Sequence, residues 1–210
     1  NWMIYVSLST IPKRINEVNE SIDSLLSQTL KPDKIFINIP KKFRRFKEEI
    51  KENDIPKFPK NVEVTRCEDC GPGTKLLGSL NKIDNSSLLI LADDDQIYEN
   101  FMVEKFYKFY KSSPNNAYSF YVHPLGKFGI GQGADGFAIN TKFLNGIENF
   151  YNVVVKDHEE LFLHDDLWIS YYLFFFKNNK ILSLQESLEI DSNGKRKTVY
   201  KTHTSTEGLI

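Results

Sequence analysis

Residues 88–98 read LLILADDDQIY. An apolar run, Leu88 to Ala92, stops at three consecutive carboxylates, Asp93, Asp94 and Asp95. The run has the length and composition of a buried parallel strand. Carboxylates at its carboxyl end cannot be core, because unpaired buried charge is too costly. They repel one another until a positive charge sits among them. A divalent cation carrying a phosphorylated ligand suits such oxygen donors. Ligands in open α/β sheets bind outside the carboxyl ends of the strands. The strand, the Asp-x-Asp and the helix start expected after it therefore predict a metal-assisted nucleotide site. The plainer alternative is an acidic helix N-terminus in solvent, favoured by the helix dipole; one or two Asp would suit it better than three. An EF-hand loop is excluded, because Tyr98 stands at its sixth position, where a Gly is needed.

Other groups able to do chemistry lie along the chain. His164-Asp165-Asp166 directly precedes the apolar segment LWISYYLFFF. One of two adjacent Asp can cap a helix there, while the other points into a cleft as a general base for an attacking hydroxyl. Asp165 is read as the base, Asp166 as its alternate. The loop GPGTK (71–75) brings flexible backbone N–H groups and Lys75 to a helix start, an anion-binding arrangement, although it is not a Walker A sequence. Arg14, just past the first strand, is a second candidate for a phosphate or base contact. His203, in the polar segment KTHTS, can complete an Asp-rich metal site; a solvent-exposed histidine is the alternative. Cys67 and Cys70 form a C-x-x-C, but one such pair cannot complete a four-ligand zinc site. Two reduced thiols are expected rather than a redox pair.

The elements that must position these groups follow from periodicity. Strands are expected at 2–9, 34–39, 62–65 and 88–92. Helices are expected at 16–28 (apolar at 18, 22, 25 and 26), at the charged segment 41–53, and from 73 or 74 to about 80. This alternation predicts an α/β fold with a mostly parallel central sheet flanked by helices. After about residue 100 the pattern changes to a smaller mixed portion. It has helices at 99–111 and 167–177, strands at 117–122, 136–139, 181–184 and 198–200, and a flexible connection GIGQGADG (129–136) that could close over a ligand. A single catalytic domain over 1–210 is expected, with 1–100 binding nucleotide and 101–210 binding a second substrate.

Composition narrows the classes. With 210 residues, 40% of them hydrophobic, the chain can bury a full core. Its net charge of −1, from 27 basic and 28 acidic residues, gives no field towards nucleic acid or anionic membrane. The Lys-rich stretches 41–53 and 193–197 are read as solvated faces. The longest apolar run, Leu167 to Phe176, is too short to span a bilayer, and no signal peptide is visible. A cytoplasmic location is therefore expected, and the start at Asn1 leads us to expect a domain of a longer polypeptide.

The motif order is S-L-S-T-I-P-K-R, C-G-P-G-T-K-L-L, L-I-L-A-D-D-D, G-A-D-G-F-A-I and H-D-D-L. It resembles GT-A fold nucleotide-sugar glycosyltransferases, similar to family 2 and to small viral or bacterial polysaccharide enzymes, over nearly the whole chain. The resemblance implies a GT-A (Rossmann-like) hexosyltransferase that moves a sugar from a nucleotide-sugar, UDP-linked in the first instance, to a hydroxyl of a glycan or glycoprotein, with inversion. It implies donor contacts from Ser9, Thr10, Arg14, Lys75, Asp93 (near the ribose) and Asp94. It further implies that Asp95, with His203, binds Mn2+ or Mg2+ on the diphosphate, and that the base lies in the pair Asp165/Asp166. Family 2 members often carry an Asp closing the second strand. Here that region is Asn38-Ile39-Pro40, which moves base recognition to Asp69. Two other readings stand beside it. An Asp-nucleophile phosphatase also uses a strand ending in D-x-D, but usually as the first strand of the chain. A non-catalytic carbohydrate-binding module would use the aspartates for calcium and the 16 Phe and 10 Tyr for stacking, although core packing explains those rings more cheaply.

Overall fold

The computed structural model describes residues 2–202. The first four strands are β1 (Ile4–Ser9), β2 (Lys34–Pro40), β3 (Val62–Cys67) and β4 (Leu88–Leu91). They pair in parallel, in the order β4-β1-β2-β3. The apolar runs of β1, β2 and β4 are long because both faces are covered. Ile4, Val6, Leu8, Ile35, Ile37, Leu88 and Ile90 pack on one face with helices α1 (Val18–Leu26) and α3 (Met102–Ser112). Tyr5, Phe36, Leu89 and Leu91 pack on the other with α2 (Thr74–Leu77) and α6 (Asp165–Tyr171), reached through Leu76, Trp168 and Ile169. The helices α4 (Ile147–Phe150) and α5 (Glu159–Phe162) precede α6 in the chain, and α6 continues as a π-helical turn to Phe176.

The sheet grows past β4 by a change of direction. Strand β9 (Phe137–Asn140) runs antiparallel to β4 and to β6 (Ala117–Ser119), and β10 (Ile181–Ser183) closes the edge parallel to β6. The result is a mostly parallel seven-stranded sheet with flanking helices, β10-β6-β9-β4-β1-β2-β3. Two ribbons stand outside it: β5 (Gln96–Tyr98) with β11 (Tyr200–Thr202), and β7 (Val122–Leu125) with β8 (Phe128–Gly131).

Several local expectations are corrected. Residues 41–53 form no helix; only a 3-10 turn at Glu52–Asp54 is regular. Tertiary partners take the backbone groups a helix would have used. Arg66 donates to the carbonyls of Pro40 (3.3 Å) and Ile50 (2.6 Å), and the Arg44 amide donates to the Asp69 carboxylate (2.8 Å). The triple aspartate leads into β5 rather than a helix, because Gln96–Tyr98 pairs with the tail strand β11. The expected strand 117–122 is split into β6 and the start of β7, and part of the glycine-rich connection is the strand β8. The last strand lies two residues later than the periodicity suggested.

A buried polar network fixes α2 over the sheet. The Ser7 hydroxyl donates to the carbonyl of Lys75 (2.5 Å), and the Asn38 amide donates to the carbonyl of Thr74 (3.0 Å). Thr65 donates to the Asn38 carbonyl oxygen (2.5 Å). Every member is paired, as buried polar groups require. Asn38, at the position where an Asp was looked for, is thus a packing hub of β1, β2, β3 and α2.

Candidate functional site

A cleft of about 700 Å³ opens at the carboxyl ends of β1, β2 and β4. Its walls include Ser9, Thr10, Arg14, Asp69, Lys75, Asp93, Asp94, Asp95, Asp165 and Asp166. The structure brings these sequence-selected residues together; His203 lies outside the described residues.

Lys75 is the centre of the cleft's charge. It is only 6% exposed, donates to Asp93 Oδ1 at 2.5 Å and lies 3.2 Å from Asp165 Oδ2. Burial alone would lower its pKa, but the carboxylates of Asp165, Asp93 and Asp166 outweigh burial and hold it well above the ordinary lysine value. Burial, and then the neighbouring charge of Asp165, push the Asp166 carboxyl well above the usual range. Asp166 Oδ1 accepts from the Gly133 amide (3.1 Å). It therefore ties α6 to the glycine-rich segment rather than capping its own helix. A side chain at 133 would meet this group directly: a Cβ there would lie 3.0 Å from Lys75 Nζ and 3.1 Å from Asp166 Oδ1.

The three aspartates diverge. Asp94 turns into the fold, where its Oδ2 accepts from Thr10 Oγ1 (2.7 Å) and from Arg14 Nε (3.0 Å). Burial pushes its carboxyl up to about 6, against the pull of Arg14. Asp93 faces Lys75, and its amide donates to the Tyr98 hydroxyl (2.8 Å). Asp95 is raised by burial and then by Asp93, and its Oδ1 accepts from Gln96 Nε2 (3.2 Å). Asp69 shapes its loop, accepting from the amides of Arg44 and Gly71, both at 2.8 Å. The Cys67 and Cys70 thiols are free, and burial pushes them up to about 12 and about 11, so both stay protonated near neutral pH.

Two cations chosen from sequence are thus committed to carboxylates. Arg45 also lines the cleft, and no carboxylate lies within ion-pair distance of it among the described residues. Sequence reading missed it by placing 41–53 in a solvated helix. The available signal was position: the basic run follows the carboxyl end of β2, where ligands gather. His164 and Gln132 are further cleft residues that sequence did not select.

Among the described residues, no group of three or more His, Cys, Asp or Glu is spaced to hold a metal by itself. The donor chemistry still fits a hard cation shared with a ligand. Asp95 sits among like charges, and beside it the Gln96 Oε1 is buried without a hydrogen-bond partner. A Mg2+-type ion needs only one or two carboxylates when substrate phosphates supply other oxygens.

No protein-family model matches the chain, and no curated protein matches it in sequence. Solved structures do match. S. aureus TarS residues 1–349, in complex with UDP, aligns at TM-score 0.58 and 14% identity, over 98% of this chain and 62% of that one. The mannosyltransferase PcManGT from Pyrobaculum calidifontis, in complex with GDP-Man and Mn2+, aligns at TM-score 0.58 and 14% identity, over 86% of this chain and 54% of that one. The 2-C-methyl-D-erythritol 4-phosphate cytidylyltransferase of Francisella tularensis aligns at TM-score 0.55 and 16% identity, over 87% and 89%. The chain shares the GT-A-like, Rossmann-like α/β fold of these structures. It spans about three-fifths or less of the TarS and PcManGT chains. No described helix is long and apolar enough to cross a membrane.

Proposed function

We propose that this domain is a divalent-metal-dependent glycosyltransferase that moves a sugar from a nucleotide-sugar, UDP-linked, to a hydroxyl of a glycan or glycoprotein with inversion. The observation that carries the reading is the meeting of two acidic groups across one buried lysine. The end of β4 supplies Asp93, the start of α6 supplies Asp165 and Asp166, and Lys75 stands between them. Asp95 would hold Mn2+ or Mg2+ on the donor diphosphate, where the ion supplies neutralisation of the charge that develops on departure. His203 is the proposed further ligand. The last described residue before it, Thr202, pairs with Gln96, the neighbour of Asp95.

The chain's own residues do the rest. Arg45, whose guanidinium lies 5.2 Å over the Phe46 ring and pairs with no carboxylate among the described residues, offers its donors to the nucleotide diphosphate. Asp69, with its carboxylate held by two amides, lies at the nucleobase end. Asp165 stays with Lys75 as an ion pair, which leaves Asp166, with its raised proton affinity, to take the proton of the acceptor hydroxyl. That oxygen bonds to the anomeric carbon from one face as the bond to the diphosphate oxygen breaks on the other. Gly133, bonded to Asp166, couples the glycine-rich segment to this step.

The fold similarity to a cytidylyltransferase makes nucleotidyl transfer the competing reading, so the assay carries both kinds of donor. UDP- and GDP-sugars and CTP are incubated with Mn2+ or Mg2+ and with free sugars and sugar phosphates as acceptors, and the products are followed by NMR. Release of UDP or GDP with an inverted anomeric centre is expected. Retention of configuration overturns the single displacement, and consumption of CTP alone overturns the sugar-donor reading.

A further inference from the structure

A second cavity, of about 350 Å³, lies beside the donor cleft and shares the Gln132 wall with it. Its other walls come from distant parts of the chain: Tyr121, Asp135, Arg196, Lys197 and Tyr200. The Asp135 amide donates to the Gln132 carbonyl (3.1 Å), while its carboxylate makes no hydrogen bond or ion pair among the described residues. Burial, and then the nearby charge of Asp93, push its carboxyl up to about 6. The Tyr200 hydroxyl is raised by burial first and then by Asp135, Asp93 and Asp95, so this ring stands in the field of both cavities. Tyr121 leaves 37% of its surface exposed, a free aromatic face.

The cavity is electrically divided. Its half-buried carboxylate feels the charge of Asp93, and the two cations of its wall, Arg196 and Lys197, take no part in the donor cleft. Arg196 is oriented through Nη1 alone, which donates to the carbonyls of Leu188 (2.9 Å) and Glu186 (3.3 Å). No carboxylate pairs with it among the described residues. Lys197 meets Glu189 at 3.3 Å, but both side chains are more than half exposed, and a pair of that kind is weak enough for a ligand to displace.

We propose that this second cavity is the acceptor pocket and that it takes an acidic sugar. A carboxylate or phosphate on the acceptor binds Arg196 and Lys197, the ring lies against Tyr121, and a hydroxyl is turned inward to Asp135. The proposal rests on the glycosyl-transfer reading of the neighbouring cleft. Charge sets the orientation. Asp135 repels the acid group and accepts from hydroxyls, while the two cations attract the acid, so only one end of such a sugar can point towards the donor. Aromatic faces with a few convergent polar groups are the usual make-up of a site of this size.

Calorimetry of glucose 6-phosphate, glucuronate and methyl glucoside tests it. At least one acid should bind about ten-fold or more tightly than methyl glucoside, since loss of charge-assisted bonds is worth at least that factor. Which acid binds tells phosphate from carboxylate. Lys197→Ala should weaken the acid several-fold, and Arg196→Ala with Lys197→Ala should remove the preference. Because Arg196 also holds two carbonyls, the thermal midpoint of each variant is recorded, and Lys197→Ala stands alone if the double change unfolds. Equal binding of neutral and acidic sugars, or acid binding unaltered by Lys197→Ala, overturns the proposal. Donor binding is read separately with UDP-glucose and Mn2+. Its absence in the parent protein counts against the transferase reading, while the acid preference is judged on the sugars alone.

Discussion

Replacing Lys75 by Met puts the electrostatics of the cleft to a quantitative test. Lys75 is buried and touches Asp93 and Asp165, with Asp166 also in its field. Methionine keeps most of the volume and removes the charge. Breaking a buried ion pair from one side costs about 3–5 kcal/mol, because the partner charges are left uncompensated. The Asp166 carboxyl, which the Lys75 charge holds down, can relieve part of this by binding a proton. An acid whose folded pKa lies above its unfolded value binds more protons when folded, so its stability contribution falls as pH rises through that window. In the parent, Asp166 is already raised against the pull of Lys75; without Lys75 that pull is lost and Asp166 is raised further. Lys75 itself is raised, so its own contribution is fully present below the ordinary lysine value and is constant between about pH 5 and pH 8. The loss measured by urea denaturation should therefore be about 3–5 kcal/mol near pH 8. It should shrink by at least about 1.4 kcal/mol near pH 5, the equivalent of one pKa unit on one carboxylate. An equal loss at both pH values, or a larger loss at the acid one, would refute the reasoning.

Further outcomes are expected from single changes. Asp95→Asn should weaken metal-linked donor binding about ten-fold or more, read by calorimetry with Mn2+. Arg45→Ala should keep the fold and lose about ten-fold in donor affinity, as expected for one charge-assisted contact; unaltered affinity would remove Arg45 from the diphosphate site. Asp166→Asn should still bind donor but transfer about 10²–10⁴-fold more slowly; if Asp165→Asn shows that pattern instead, the two roles are exchanged. Gly133→Ala should lower transfer, because the added methyl meets Lys75 and Asp166 at about 3 Å; activity equal to the parent would show that this approach has room to relax.

The parts of the fold that sequence revealed are those whose pattern has a single cause. β1, β2 and β4 are buried on both faces, so β4 reads as an unbroken apolar run and β1 and β2 as runs broken only by the buried Ser7 and Asn38 and by polar residues at their ends. Asp93 to Asp95 stood out because three charges end such a run. The missed parts are those where distant partners decide. Residues 41–53 have helical composition, yet Arg66 and Asp69 capture their backbone, and Arg45 reaches the cleft only for that reason. Strand β5 exists because the tail returns as β11, a pairing between segments about 100 residues apart. Lys75 was chosen as an open anion contact, but Asp93 and Asp165 close on it from elements that local spacing cannot place together. Asp135 lay within the motif GADG, and only the shape of the second cavity gives it a role.

We propose that the acidic cleft binds a nucleotide-sugar through a divalent cation. Calorimetric titration of UDP-glucose and GDP-mannose into the protein, once with Mn2+ and once with EDTA, decides it. Saturable binding of at least one donor with Mn2+ is expected, with a loss of about ten-fold or more in EDTA. Equal affinity in the two buffers, or no binding of either donor with Mn2+, would rule this cation-linked site out.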